Sequence, residues 1–380
     1  DWETAAAQAA RATGLLNKGV RAFVVEMASS PLVALGLLAL TATVRPGAFF
    51  VALPFALLWI AAPAVAYWLS QPTSSSRREL SPEDREYLTQ VARKTWRTFE
   101  TLDAGDHGLP PDNVQEGTVP VVARRTSPTN VGMYLLSTLA AHDLGFLPLE
   151  EMLERLDTTL TTVEGLERYE GHLLNWYGTE GLAPLPPHYV STVDSGNLAG
   201  ALLALAEGCR DLAESSPDSS PVLSSRLSDL ARRALAMADG MSFAFLYDPQ
   251  RQLFSIGYRL ADANGPGRLD PSFYDLLASE ARLASFIAIA KGDVPQSHWF
   301  HLGRLVVSVE GVPTLVSWSA SMFEYLMPAL LMRTYPGTLL DTSSRMAVKQ
   351  QVRYGRGRGV PWGISEAAFN IVDRAGTYQY

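Results

Sequence analysis

The sequence has almost no cysteine. Cys209 is the single one among 380 residues, which excludes an internal disulfide framework and every metal centre built from several cysteines. Positive charge is also in the minority. The sequence has 31 Lys and Arg residues and 39 Asp and Glu residues, which gives a net charge of −8. Proteins that bind nucleic acid normally carry an excess of basic residues on one face, so this balance argues against such a partner.

The common motifs of nucleotide, hydrolase and metal chemistry are missing. The chain contains no P-loop, GxGxxG, HExxH, GxSxG or CxxC motif, and no convincing DxD pair of the kind found in nucleotide-sugar transferases. His298 and His301 come nearest to a metal pair. Because no carboxylate stands near them at ligand spacing, we expect a core or surface role for both. We therefore predict an activity that requires no metal and no organic cofactor.

Charged residues are absent from two long stretches near the start of the chain, Met27–Val44 and 46–76. The second stretch contains an apolar run, 48–70, that is long enough to cross a bilayer core of roughly 30 Å. The Arg-Pro-Gly sequence at 45–47 suits a tight turn between the two. We predict a transmembrane helical hairpin within a membrane-associated segment, 1–75. Two buried core helices of a soluble protein are the alternative.

Basic residues flank both outer ends of this predicted hairpin. Lys18 and Arg21 precede it, and Arg77 and Arg78 follow it. Segments rich in Lys and Arg tend to stay in the cytoplasm, although Arg45 in the short connecting turn opposes this bias. We therefore expect a lipid bilayer as a partner, with the rest of the chain facing the cytoplasm.

Beyond residue 80 the pattern is one helix after another, with few strand signals. Ser81 is a good N-cap and Pro82 suits a first helical turn. One hairpin is predicted over Phe243–Leu260. Further helices are predicted over Thr129–Asp143, Leu149–Glu164, Ser195–Leu212, Ser224–Met241, Pro271–Lys291, Ser319–Met332 and Thr342–Tyr354. This pattern predicts a mainly α domain over 80–380, a helical toroid whose long loops build a cleft.

Several aromatic residues lie in loops beside small or polar residues instead of within aliphatic runs. They are Trp176, Tyr177, Trp299, Trp318 and Trp362. The polar side chains near them include His172, Asn175, Asp194, Asn197, Ser317, Ser319 and Ser365. Flat aromatic faces together with amide and carboxylate groups are suited to the apolar faces and hydroxyls of sugar rings. A carbohydrate cleft is the favoured interpretation of the set. Packing of the loops onto the toroid is the alternative for each aromatic residue.

Three glutamates lie in apolar or aromatic surroundings: Glu280, Glu324 and Glu366. Cleavage of a glycosidic bond needs two carboxyl groups, one protonated to assist the leaving oxygen and one acting as nucleophile or base. Burial raises the pKa of a carboxyl group, as the acid requires. The alternative for each is a structural helix carboxylate paired with arginine, for which Arg282 and Arg333 are available.

Four long motifs of the sequence are specific enough for comparison with known families: RTSPTNVGMYLLSTLAAHDLGF, GHLLNWYGTEGLAPLPPHYVSTVDSGNLAG, ASEARLASFIAIAKGDVPQSHWFHLGR and GVPWGISEAAFN. They resemble the central region of cyclic β-1,2-glucan synthases. The resemblance extends from about residue 80 to the end of the chain, and the hydrophobic hairpin resembles the membrane segments that precede this region. It implies a glucoamylase-like (α/α)6 toroid that cyclises linear β-1,2-glucan. It also implies a location at the bacterial inner membrane, in one polypeptide with a glycosyltransferase region and a phosphorylase-like region.

The same resemblance implies roles for individual residues. Glu280, in ASEARLASF, would be the general acid/base and Glu366, in WGISEAAFN, the nucleophile, with the reverse assignment of the two roles as the alternative. Glu324, in SMFEYLMP, is the reserve catalytic candidate. Residues expected to line the cleft are Arg125, Asn130, Trp176, Tyr177, Asp194, Asn197, Trp299, Trp318 and Trp362. About eight or nine helices are expected after residue 80, fewer than the twelve of a closed toroid, so the toroid is expected to be incomplete in this chain.

Two other functions remain open at this point. One is an inverting β-1,2-glucanase, in which the second carboxylate activates water. The separation of the carboxyl groups distinguishes the two reactions, at about 5–5.5 Å for retention and roughly 6.5–9.5 Å for inversion. The other is a module without catalysis that holds glucan for a neighbouring glycosyltransferase.

Overall fold

The structure is a computed structural model. It describes residues 19–70, 80–101, 105–115, 120–215, 221–263, 265–363, 365, 369–372 and 378–379. Contacts divide the chain into two compact units, 1–79 and 80–380.

The first unit contains a helical hairpin. Its helices are α1 (Val20–Glu26), α2 (Ser29–Val44) and α3 (Phe49–Leu69). The predicted turn at 45–47 is present, and a short 3-10 helix follows Arg45 there. Helices α2 and α3 pack against each other, and Ser30 Oγ donates a hydrogen bond to the backbone oxygen of Trp59 at 2.9 Å.

One helix of this unit, Pro46–Leu69, is long and apolar enough to cross a membrane, with a mean hydropathy of 2.2. Helices α1 and α2 pass the same test only as a pair, and that pair is bent by 64° at the break between them. Large apolar side chains on α3 are exposed, including Phe50 and Trp68. A surface of this kind is unfavourable in water.

The second unit is mainly helical. Its helices are α4 (Pro82–Thr101), α5 (Pro128–Asp143), α6 (Leu149–Gly165), α7 (Thr192–Ser215), α8 (Pro221–Gly240), α9 (Arg282–Lys291), α10 (Ser297–His301), α11 (Met322–Leu326) and α12 (Leu339–Arg358). The predicted start of α4 is confirmed, because Ser81 Oγ accepts a hydrogen bond from the backbone N–H of Asp84 at 3.0 Å. Helices α5, α7 and α9 form an inner layer, with α6 packed on α5 and α8 packed on α7.

Two inner helices run parallel and very close together. Thr129 of α5 contacts Asp194 of α7, and three residues further along Gly132 lies against Leu198 and Ala201. Residue numbers therefore rise together along the two helices, so both N-terminal ends lie at the same edge of the layer. A Cβ on Gly132 would come within 2.9 Å of Ala201 Cβ, which shows how closely the helices approach.

The first turn of α9 also meets the start of α7. A Cβ on Gly196 would lie 2.5 Å from Cβ of Ala284 and 2.7 Å from its Cα, so only glycine allows this contact. Asp194 is two residues before Gly196, and Glu280 is four residues before Ala284. This contact therefore brings the first turn of α7, which carries Asp194, and the turn that carries Glu280 to the same region.

Short strands tie the loops to the inner layer. They are β1 (Val114–Gln115), β2 (Val121–Val122), β3 (Arg125–Thr126), β4 (Arg168–Tyr169), β5 (His172–Leu173), β6 (Tyr177–Gly178), β7 (Tyr189–Ser191), β8 (Tyr247–Asp248), β9 (Leu253–Ser255), β10 (Gly257–Arg259), β11 (Arg268–Leu269), β12 (Phe273–Tyr274), β13 (Val306–Val309), β14 (Val312–Leu315), β15 (Phe369–Val372) and β16 (Tyr378–Gln379). The antiparallel pair β3 and β6 aligns Arg125 with Gly178. This register brings Arg125 to the loop that carries Trp176.

The helix predicted over Pro271–Lys291 is wrong in its first half. Residues 271–281 are not helical, and β12 within them pairs with β9. The backbone N–H of Leu277 donates to the oxygen of Gly303, so the backbone there bonds across to other segments instead of along a helix. Helix α9 begins only at Arg282.

Two other boundaries also differ from the prediction. Within 319–332 the structure has only α11, followed by a 3-10 helix over Met327–Leu330 that contains Pro328, because proline lacks the N–H that a continuing α-helix needs. The single hairpin predicted over Phe243–Leu260 belongs to two sheets. β8 pairs with β9, whereas β10 pairs with β7 and β11.

Two histidines are core residues. His298 is fully buried, with its ring nitrogens 2.8 Å from the Gln252 oxygen and the Ser285 hydroxyl, which confirms the expected structural role. His172 is also fully buried, and one ring nitrogen lies 2.8 Å from the Ser242 oxygen. Burial lowers the pKa of His172 to about 4, so this side chain is neutral at pH 7 and does not face the cleft.

Gly196→Ala is expected to destabilise the second unit by about 1–3 kcal/mol, because the new methyl group overpacks the contact with Ala284. Denaturant unfolding followed by tryptophan fluorescence measures the change. Gly357→Ala in α12 is the matched control, since a Cβ there meets nothing within 4 Å, and its stability should be equal or slightly higher. Equal stabilities of the two variants would contradict the close approach of α7 and α9.

Candidate active site

A network of polar side chains lies at the N-terminal ends of α5 and α7. Asp194 Oδ1 accepts a hydrogen bond from Thr129 Oγ1 at 2.5 Å, and Asn197 Nδ2 donates to the same hydroxyl at 3.1 Å. These residues come from the first two turns of the parallel helices. The backbone N–H groups at such ends carry partial positive charge, which favours a carboxylate or the oxygens of a ligand.

The side-chain amide of Asn175 connects Asp194 to Trp176. In the orientation that satisfies its neighbours, its nitrogen donates to Asp194 Oδ2 at 3.1 Å and its oxygen accepts from Trp176 Nε1 at 3.0 Å. The side chain of Trp176 is half-buried. The tryptophan is therefore fixed at its indole nitrogen and remains partly accessible.

The network continues from Trp176 to Asp112. The guanidinium carbon of Arg125 lies 4.7 Å from the centre of the Trp176 ring. Arg125 also donates to Asp112 Oδ2 from Nε at 3.3 Å and from Nη2 at 3.2 Å. Asn130 Nδ2 donates to the other oxygen of Asp112 at 3.0 Å. The connected set is called the Asp112–Asp194 network below; its members are Asp112, Arg125, Thr129, Asn130, Asn175, Trp176, Asp194 and Asn197.

Asp194 is the member of this network with a perturbed acidity. Burial raises the pKa of its carboxyl group, and the negative charge of Asp112 raises it further. Hydrogen bonds from Ser191 and Thr129 act in the opposite direction, because they favour the ionised form. A carboxyl group with a raised pKa among hydrogen-bonding neighbours is typical of a binding or catalytic site.

A second aromatic group lies on the loop before α11. The side chain of Trp318 is 51% exposed, so it can present a face to a ligand. Its Nε1 donates to Asp275 Oδ1 at 2.9 Å, and the Tyr274 ring lies 5.6 Å away at an angle of 31°. The hydrogen bond and the ring contact together fix the orientation of an exposed indole, as a sugar-stacking platform requires.

Glu324, the reserve catalytic candidate, holds this loop together. Its carboxylate is 5% exposed and forms a capping box with Ser321 at the start of α11. It also accepts hydrogen bonds from the backbone N–H of Trp318 at 3.0 Å and of Ser319 at 3.1 Å. The hydroxyl of Ser317 adds a further bond at 3.2 Å. This geometry favours a structural role for Glu324 over a catalytic one.

Gln351 of α12 joins the Trp318 loop to the segment before Glu366. Its Nε2 donates to the Ala320 oxygen at 2.9 Å, and its Oε1 accepts from the Gly363 N–H at 3.1 Å. Trp362, with 54% of its surface exposed, is therefore held near this loop. Glu366 itself, the predicted nucleophile, lies outside the described residues.

Glu280, the predicted acid/base, is half-buried in the turn immediately before α9. Arg282 lies next to it and is buried, with its guanidinium donating to the backbone oxygens of Ser279, Glu324 and Tyr325 at 2.9, 2.9 and 3.0 Å. Burial lowers the pKa of Arg282 to about 10, while the charge of Glu280 acts to raise it. Arg282 thus remains a cation at pH 7 and ties the Glu280 turn to α11.

Three predicted cleft residues have other surroundings. Tyr177 is buried in the core, where its hydroxyl donates to the Glu167 oxygen at 2.6 Å and accepts from the Leu174 N–H at 2.7 Å, so it cannot contact a glucan. Asn197 is buried behind Asp194 and supports it through Thr129. Trp299 is half-buried and packs edge-on against Phe286.

Sequence reasoning missed four residues that shape the site: Asp112, Thr129, Asp275 and Gln351. Each acts through a partner far away in the chain. Thr129 bonds with Asp194, 65 positions away, and Asp275 with Trp318, 43 positions away. No local pattern marks such pairs. Of these four residues, Thr129 has a local signal: it directly follows Ser127 and Pro128, a pair typical of a helix N-terminus.

Glu324→Gln is expected to lower the free energy of unfolding by about 1–3 kcal/mol, because an amide NH₂ would face N–H and O–H donors in a buried position. Denaturant unfolding measures this change. Glu154→Gln, at an exposed position of α6, is the control and should leave stability unchanged. A Glu324→Gln protein with normal stability and no activity would instead establish Glu324 as a catalytic residue.

No family model matches the chain. Its fold is similar to that of an endo-β-1,2-glucanase from Talaromyces funiculosus solved with sophorose, with a TM-score of 0.59 and 16% identity over 77% of this chain and 66% of that one. An endo-β-1,2-glucanase from Chitinophaga pinensis, solved with sophorotriose and glucose, gives a TM-score of 0.58 and 12% identity over 74% and 69%. A protein from Bacteroides fragilis assigned as a glucoamylase gives a TM-score of 0.56 and 15% identity, over 80% of this chain and 74% of that one. These likenesses confirm a glucoamylase-like (α/α)6 toroid fold.

The sequence is also similar to a characterised protein. It is 37% identical to the cyclic β-(1,2)-glucan synthase NdvB of Rhizobium meliloti (strain 1021), in an alignment that covers 100% of this chain. The chain spans only 17% of the length of that synthase. The resemblance found in the sequence motifs is confirmed: the chain is related along its whole length to one segment of a cyclic β-1,2-glucan synthase.

Proposed function

We propose that the second unit, 80–380, converts linear β-1,2-glucan into cyclic β-1,2-glucan by retaining transglycosylation, as one region of a larger synthase. The observation that carries this proposal is the 37% identity to a cyclic β-(1,2)-glucan synthase over the whole chain. The toroid fold, the exposed rings of Trp318 and Trp362 and the polar network around Trp176 support a glucan as substrate. Glycosyltransferase and phosphorylase-like regions of the same polypeptide are the proposed partners.

In the first step, Glu366 attacks the anomeric carbon of a glucose unit within the chain. Protonated Glu280 gives its proton to the departing glycosidic oxygen as that C–O bond breaks. The products are a covalent glucosyl-enzyme on Glu366 and a released segment that carries the original reducing end. The two carboxyl groups then need a separation of about 5–5.5 Å.

In the second step, ionised Glu280 removes the proton from the 2-hydroxyl at the non-reducing end of the same glucan. The resulting oxygen attacks the anomeric carbon, and the bond to Glu366 breaks. Two inversions restore the β configuration and close the ring. The proposed reaction needs no metal and no organic cofactor, because Glu280 carries out both proton transfers and Glu366 supplies the nucleophile.

The described part of the site supplies binding and orientation. Trp318 and Trp362 offer exposed faces for glucose rings, and the Asp112–Asp194 network offers amide and carboxyl groups for hydroxyls. Filling the site with a sugar chain excludes water from the intermediate, which favours ring closure over hydrolysis. Arg282 ties the Glu280 turn to α11, and the Gly196 contact packs the first turn of α9 against α7, the helix that carries Asp194.

Glu280→Gln is expected to lower the formation of cyclic product at least about 100-fold, the size of the contribution that a general acid/base makes. The measurement is incubation of the protein with linear β-1,2-glucan, followed by mass spectrometry of the products. Cyclic glucans are 18 mass units lighter than linear glucans with the same number of glucose units. Glu310→Gln, at a surface ion pair, is the control and should cyclise normally.

The same experiment separates the alternatives. Shorter linear chains without rings, released with inverted anomeric configuration, would indicate the inverting β-1,2-glucanase. An unchanged glucan that nevertheless binds would indicate a holding module that serves a neighbouring glycosyltransferase. Normal cyclisation by Glu280→Gln would contradict the assignment of the acid/base.

We also propose that the first unit anchors the protein in a bacterial inner membrane, with the second unit in the cytoplasm. Leu58 lies near the middle of α3 and is 64% exposed. Leu58→Arg is expected to reduce the fraction of protein that resists carbonate extraction, because arginine costs about 2.5–3.5 kcal/mol at the centre of a membrane helix. Leu58→Ala is the control. Equal retention of both variants in the membrane fraction would contradict a lipid-facing α3.

A further inference from the structure

Arg125 occupies an unusual position within the Asp112–Asp194 network. Its guanidinium covers one face of the Trp176 ring at 4.7 Å, while Nε and Nη2 both donate to the same oxygen of Asp112. The side chain is only 25% exposed. These contacts occupy one face of the guanidinium and the edge formed by Nε and Nη2.

Asp112 is held in turn by elements of the toroid. Asn130, in the first turn of α5, donates to Oδ1 at 3.0 Å, and the backbone N–H of Asp112 donates to the Arg125 oxygen at 2.7 Å. The register of β3 against β6 then places Arg125 beside the Trp176 loop. The position of Arg125 is therefore set from two sides, by the carboxylate and by the backbone.

Two contacts fix the orientation of the Trp176 ring, one at its indole nitrogen and one on a ring face. Its indole nitrogen donates to Asn175, which is itself bonded to Asp194. One ring face is covered by Arg125, and the side chain as a whole is half-buried. A cation against one face of an indole stabilises that ring orientation, and the Asn175–Asp194 pair lies at the ring edge that carries the indole nitrogen.

We infer that Arg125 is a positioning residue: the Asp112–Arg125 pair fixes the Trp176 ring so that a glucose unit of the β-1,2-glucan stacks on the face opposite Arg125, with its hydroxyls bound by Asn175 and Asp194. This inference rests on the proposed function for its choice of ligand. It changes the role of Arg125, which was expected from the sequence to contact the glucan. Arg125 acts on the sugar only through Trp176.

The neighbouring Arg124 provides a matched control. It belongs to the same segment, but its side chain is 64% exposed and forms an ion pair with Glu180 at 3.0 Å on the surface. Removing either arginine deletes one positive charge from the same part of the chain. A general electrostatic effect on binding would therefore appear in both variants, whereas loss of positioning would appear only at 125.

The test is a double-mutant cycle on glucan affinity, measured by calorimetry with linear β-1,2-glucan in a Glu280→Gln background so that no product forms. Arg125→Met and Trp176→Ala are each expected to weaken binding about tenfold, equivalent to about 1.4 kcal/mol. The double variant should bind no more weakly than Trp176→Ala alone, because Arg125 has no effect once the ring is gone. Arg124→Met should bind normally, and all variants should unfold at the same denaturant concentration.

Additive losses in the double variant would overturn the inference, since they would place Arg125 in direct contact with the glucan. An unchanged affinity of Arg125→Met, or equal losses in the two arginine variants, would also overturn it. If the Glu280→Gln parent fails to bind linear β-1,2-glucan, the proposed function fails together with this inference. The other three results leave the proposed function intact.

Discussion

The close approach of the inner helices is the constraint on which the site depends. Gly132 and Gly196 remove the Cβ atoms that would keep α5, α7 and α9 apart. The parallel course of α5 and α7 then places the first turns of both at one edge of the layer. Polar side chains from these turns therefore contact one another directly, which explains why Thr129, Asp194 and Asn197 form one connected group.

Two kinds of support maintain the loops around this edge. The Asp112–Asp194 network binds one tryptophan loop to the helix ends through side-chain hydrogen bonds. In the Trp318 loop, the carboxylate of Glu324 accepts hydrogen bonds from the backbone N–H groups, and Gln351 connects that loop to Gly363. Arg282 joins the Glu280 turn to α11 through backbone oxygens. Sites held in this way are rigid before a ligand arrives, which lowers the entropy cost of binding.

Local signals in the sequence predicted much of the fold. The apolar run at 48–70, the Ser81 cap and the segments predicted as helices at α5 to α8 each depend only on neighbouring residues, and all correspond to helices in the structure. The helix predicted over 271–281 is wrong because the structure there depends on contacts with distant residues. Phe273 and Tyr274 pair with β9, a partner almost twenty residues earlier, and no local pattern reveals such pairing.

The site was harder to predict than the fold for the same reason. An isolated glutamate in an apolar segment has the same appearance whether it is catalytic or structural, and only the donors around Glu324 distinguish the two. Tyr177 follows Trp176 directly, yet it is buried in the core, where its hydroxyl bonds to the backbone of Glu167 and Leu174. The pairing of Glu280 with Glu366 came from the family resemblance, and it remains a prediction because Glu366 lies outside the described residues.

The most direct measurement is a crystal structure of the protein with sophorose or a longer linear β-1,2-glucan. The account predicts glucose rings along Trp176 and Trp318, with one anomeric carbon between the carboxyl groups of Glu280 and Glu366 and about 5–5.5 Å between those groups. A glucan bound at another surface, or two glutamates that face different grooves, would contradict the central claim.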